Sequence, residues 1–121
     1  MDVKGLKECK EFIAGDGCFI RELIRPCGKK RAVRYSLARA VVRRGGRTMP
    51  HSLKTTEVYY VVRGKGRMHI GKSSRIIKPG DTVYIPPKAV QYVECLGSCD
   101  LEFLCIVDPA WRKEDEEVMR R

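Results

Sequence analysis

Asparagine is absent from these 121 residues, glutamine occurs once, at position 91, and tryptophan once, at position 111. A chain this poor in amides, and rich in Lys, Arg and Glu, has the composition of proteins adapted to heat. No stretch approaches the ~18 uninterrupted apolar residues of a membrane-spanning helix. The opening residues Met1-Asp2-Val3-Lys4-Gly5 lack the basic-then-apolar order of a secretory signal. The expected location is therefore cytoplasmic, with no membrane partner. Cys9, Cys18, Cys27, Cys95, Cys99 and Cys105 contain no Cys-x2-Cys pair, the commonest zinc and dithiol signature. In a reducing cytosol such thiols stay free and pack as small apolar groups, whereas in a hyperthermophile they can pair; their spacing leaves both open. Also missing are a Gly-x-Ser-x-Gly elbow, a phosphate-binding glycine loop ahead of a helix and an identifiable pair of catalytic carboxylates. Covalent hydrolysis and nucleotide-dependent chemistry are thereby disfavoured.

Negative charge is in short supply as well. Fifteen acidic residues face 25 Lys and Arg, for a net charge of +10. Such an excess favours polyanions through counterion release. The cations are nevertheless spread along the chain, from Lys29, Lys30 and Arg31 to Lys72 and Arg75, without a helix-turn-helix pattern or an aromatic-interleaved RNA-binding signature. Nucleic acid is accordingly not the expected partner, and a solvated basic surface is. With 43% apolar and 33% charged residues, the chain has the composition of a globular protein of one domain.

Turn residues divide the remainder into short segments. Residues 1–30 read as an N-terminal extension, with a turn at Gly15-Asp16-Gly17 and a β-compatible run at 18–24. The core spans residues 31–107. Alternating or β-branched runs predict strands at 33–42, 57–63, 67–70, 75–77, 82–85, 90–95 and 101–107, with a hairpin at Gly64-Lys65-Gly66. Strands so short and so regularly spaced point to a sandwich or barrel. Asp108-Pro109, an N-cap acceptor followed by proline, predicts a short C-terminal helix within 108–121, running from Pro109 to about Met119.

Gly45, His51, Glu57 and Gly64, followed by Gly80, Pro86 and Gln91, form the informative constellation. In spacing it resembles the two motifs of the cupin superfamily. The runs Glu57-Val58-Tyr59-Tyr60-Val61-Val62-Arg63-Gly64 and Pro79-Gly80-Asp81-Thr82-Val83-Tyr84-Ile85-Pro86-Pro87 are typical of small single-domain cupins. The resemblance covers roughly residues 33–107. It implies an all-β double-stranded β-helix, the jelly-roll barrel, and a homodimer paired through its sheets. It also implies a divalent metal, Zn, Mn, Fe or Ni, at the positions held here by His51, Glu57 and Gln91. Leu53 and Gln91 stand where the family has histidines, which weakens that ligand set.

A strand's two-residue period gives an independent argument. Glu57, Tyr59 and Val61 share a face, so if Val61 enters the core, Glu57 does too. A carboxylate there needs a metal or an internal cation such as Arg39. By the same alternation Cys105 points inward with Leu101, Phe103 and Val107, as a core thiol or a substitute ligand. Tyr35, Leu53, Tyr59, Tyr84, Phe103 and Cys105 complete the expected ligand pocket. His69 is expected on the surface. Two functions follow from the resemblance: a metal-dependent isomerase or oxygenase acting on a small polar or sugar-like molecule, or a metal-free, non-catalytic binding or sensing barrel.

Overall fold

Every second side chain of a strand faces the same way, and the computed structural model, which describes residues 1–119, is built on that period. Its strands are β1 (Glu11–Ile13), β2 (Phe19–Ile24), β3 (Ser36–Val42), β4 (His51–Leu53), β5 (Thr56–Arg63) and β6 (Gly66–Ile70). They continue with β7 (Ser73–Ile77), β8 (Thr82–Ile85), β9 (Gln91–Cys95), β10 (Leu101–Asp108) and β11 (Glu116–Val118). All pair antiparallel, in one sheet of order β1-β2-β3-β10-β5-β8 and a second of order β11-β4-β9-β6-β7. The fold is all-β, a jelly-roll barrel, as expected. The segment read as an extension contributes β1 and β2 to the first sheet.

Between the sheets, Val61, Leu101 and Phe103 meet Met68, Ile77 and Val93 in an apolar core. Leu101 and Val61 are 0% exposed. Each such side chain contributes roughly 1.5–3 kcal/mol through burial, so this end of the barrel carries much of the stability. Its loops close tightly because glycine permits it. Gly64 has φ +87°, and a Cβ there would run into the Asp100 carbonyl oxygen; at Gly66 a Cβ would stand 2.8 Å from the Glu94 carbonyl oxygen.

The expected C-terminal helix is not formed. The backbone N–H groups that its first turn would leave free are taken by β3 and its approach: Ala110 donates to the Arg34 carbonyl at 2.7 Å and Trp111 to Ser36 Oγ at 2.9 Å. After a 3-10 turn at Lys113–Asp115 the chain becomes β11, which pairs with β4 through Glu116↔Leu53 and Val118↔His51. Long-range hydrogen bonding thus overrides a correct local capping signal. The last two residues of the predicted segment, 120 and 121, lie outside the described residues. No helix among the described residues is long and apolar enough to cross a membrane.

Candidate functional site

At the other end of the barrel the inward positions turn polar. His51 begins β4 and pairs in register with Gln91, the first residue of β9; Glu57 lies on β5 opposite Val107 and Ile85. His51, Glu57 and Gln91 are 2%, 5% and 1% exposed, so both sheets direct polar groups inward at one level. His51 and Glu57 border a cavity of about 70 Å³, which Asp16, Cys18, Ser36, Leu53, Tyr59, Phe103, Cys105, Trp111 and Glu116 also line. Gln91 sits behind Glu57 and reaches the cavity through it. A void of this size is several times the ~10–15 Å³ that admits one water.

Glu57 is held by neutral donors. Gln91 Nε2 donates to its Oε1 at 2.6 Å and the Cys105 thiol to its Oε2 at 2.8 Å. The Gln91 carbonyl accepts from the Tyr59 hydroxyl at 2.9 Å. Burial pushes the Glu57 carboxyl above the usual carboxylate range; the Cys105 and Gln91 hydrogen bonds and nearby His51 pull it back, while Asp16 adds to the rise. Burial first, and the Glu57 charge next, also push the Cys105 thiol and the Tyr59 hydroxyl well up, so both remain protonated donors.

Arg39, the internal cation expected for Glu57, is engaged elsewhere. Its guanidinium lies 3.6 Å from Glu102, and neither residue lines the cavity. Tyr35 and Tyr84 are also outside, 40% and 60% exposed. Alternation explains both, since Ser36 and Ile85, their immediate neighbours, are the buried residues. Leu53, Tyr59, Phe103 and Cys105 do line the cavity. His69 stands on the outer face of β6, stacked on Tyr92 and 2.6 Å from Glu94.

The fold adds residues that local sequence did not reveal. Asp16, in the Gly15-Asp16-Gly17 turn, accepts from the Cys18 N–H at 3.0 Å and places Oδ2 3.6 Å from His51 Nε2. His51 Nδ1 lies 2.8 Å from the Met49 carbonyl, which can only accept, so the proton sits on Nδ1. Nε2 is then the ring nitrogen that faces Asp16. Glu116, inside the expected helix, arrives on β11; burial raises its carboxyl pKa, and the nearby His51 and the Trp111 N–H work against that rise.

A divalent ion needs several free donor atoms at one point. Here each Glu57 oxygen and the Gln91 carbonyl already accepts a protein hydrogen bond. Among the described residues no group of three or more His, Cys, Asp or Glu is placed to hold a metal. The donor set at the expected ligand positions does not fit one.

Comparisons with known proteins agree with the architecture. The family model described as "Cupin domain" matches residues 39–107. Uncharacterized protein MJ1618 of Methanocaldococcus jannaschii is 40% identical over 111 residues, which are 91% of this chain and 88% of that protein. A cupin-like protein from Thermotoga maritima superposes with TM-score 0.70 at 26% identity, over 84% of this chain and 75% of its own. The polyketide cyclase RemF from Streptomyces resistomycificus gives TM-score 0.80 at 17% identity, over 100% and 87% of the respective chains, a likeness of fold alone. With two packed antiparallel sheets, both motifs in register at one end, and a family match across more than half its length, the chain belongs to the cupin family.

Proposed function

We propose that this chain is a small-molecule-binding barrel whose cavity works without a metal ion. The observation that carries the reading is that both Glu57 oxygens are engaged by protein donors, Gln91 and Cys105. A metal would have to share Glu57 with both of these hydrogen bonds and would find only His51 in place of the family's three imidazoles. Leu53 and Gln91, at the remaining positions, supply an apolar wall and a hydrogen-bonding amide. The walls are mostly apolar, with a few convergent polar groups, the usual make-up of a site for a small polar ligand.

Elemental analysis of protein purified without chelator, set beside a His51→Ala variant, tests this. Negligible Zn, Mn, Fe and Ni in both is the expected result. Stoichiometric metal that disappears in the variant would overturn the reading.

The same reading takes the chain to be a homodimer. Tyr60, Val62, Tyr84 and Ile106 are exposed on the outer face of neighbouring strands β5, β8 and β10, and an apolar face of this kind favours association. Light scattering should return twice the monomer mass; a monomer mass contradicts the pairing.

A further inference from the structure

We infer that the cavity selects a small organic cation, an ammonium group of a few heavy atoms on an apolar stem. The inference rests on the metal-free reading and names the ligand class of that site. Although the chain carries a net charge of +10, Asp16, Glu22, Glu57 and Glu116 line the cavity and no Lys or Arg does. Glu22 is bound to Arg25 at 2.9 Å and Glu57 to Gln91 and Cys105. That leaves the carboxyl groups of Asp16 and Glu116 at the space, with His51 Nε2 3.6 Å from Asp16 Oδ2.

Most donors of the wall are already spent. Tyr59 donates to Gln91, Cys105 to Glu57, and Cys18 to the Val41 carbonyl at 3.4 Å. The Trp111 indole N–H favours the Glu116 anion. The Ser36 hydroxyl, which accepts from the Trp111 backbone, is the one group able to act either way. A cavity that offers acceptors asks its ligand for hydrogens, and an ammonium brings three of them with a positive charge. Tyr59, Phe103 and Trp111 add aromatic faces, which attract cations.

Two electrostatic effects oppose each other. The basic exterior repels a cation, but at 0.15 M salt the Debye length is about 8 Å, so distant surface charge is screened while partly buried carboxylates are not. The near field prevails. His51, Asp16, Glu22, Glu57, Glu116, Cys18, Tyr59 and Cys105 are the titratable groups around the space.

Trp111 is the only tryptophan and lines the cavity, so its fluorescence reports occupancy. The probes are isobutylammonium, isobutanol and isobutyrate, titrated at pH 7 with salt held constant. Isobutylammonium should give a saturable change with a midpoint at least about tenfold below that of isobutanol, and isobutyrate should give none. Glu116→Gln should weaken the ammonium at least about fivefold and leave isobutanol unchanged. Asp16→Asn, whose carbonyl can still cap the turn, should do the same, which guards against a folding defect in either variant. Isobutanol binding as tightly as the ammonium, or no response to the ammonium up to about 100 mM, overturns the inference and leaves the metal-free reading standing. A saturable response to Zn²⁺ that His51→Ala abolishes overturns both.

Discussion

The two ends of this barrel are built from the same strands and obey the same alternation, yet they do opposite things. On β5 and β10 the inward positions run from Val61 and Leu101 at the packed end, past Phe103, to Glu57, Cys105 and Val107 at the cavity end, a shift of only a few residues. At the packed end, apolar side chains fill the space, with Arg43 and Arg44 in the loop after β3 and Arg63 at the end of β5 standing outside. At the cavity end, buried polar groups satisfy one another and leave acidic oxygens facing a void. The sheet period decides whether a residue points inward. Height along the strand decides what it must do once there, which is to exclude water or to meet a ligand.

The contrast can be broken most severely at the packed end. Leu101→Ala removes a side chain with no exposed area from a space without slack, and chemical denaturation should show a loss of about 3–4 kcal/mol. At the cavity end, Gln91→Leu takes a donor from Glu57 and an acceptor from Tyr59. This should lower stability by about 2 kcal/mol, the cost of leaving buried polar atoms unpaired.

A smaller, pH-dependent effect sharpens the comparison. Because burial raises the Glu57 pKa, the native state keeps that proton to higher pH than the unfolded chain does. Stability therefore falls as pH climbs from the ordinary carboxylate range through the raised value, and levels off above it. Glu57→Gln removes this titration, so across that window the Tm of the parent should drop relative to the variant. Glu116, also raised, contributes its slope to both proteins equally. An unchanged difference between the two proteins across the window would contradict the assigned shift. Least of all should happen at Tyr84→Ser, on the outer face, where monomer stability should change by no more than about 0.5 kcal/mol and occupancy of the cavity not at all.

Much of this was legible in the sequence, and the rest was not for identifiable reasons. The period of 57–63 and 101–107 sufficed to turn Glu57, Tyr59, Phe103 and Cys105 inward. The same rule, applied to Tyr84 beside Ile85 and to Tyr35 beside Ser36, would have turned both tyrosines outward. Asp16 and Glu116 carried no local signal. Asp16 joins the cavity because its carbonyl accepts from the Met49 N–H at 2.8 Å, and Glu116 because β11 pairs with β4, contacts that span more than 30 and more than 60 residues. The predicted helix failed in the same way, its first amides captured by residues some 75 positions earlier.

The account stands on Glu57 being held by protein donors in place of a metal. A crystal equilibrated with Zn²⁺ and Mn²⁺ and recorded at their absorption edges tests this most directly. The account predicts no anomalous peak in the cavity, with Gln91 Nε2 and Cys105 Sγ still in hydrogen-bond contact with the two Glu57 oxygens. An ion bound jointly by His51 and Glu57, with Gln91 or Cys105 swung away, would contradict it.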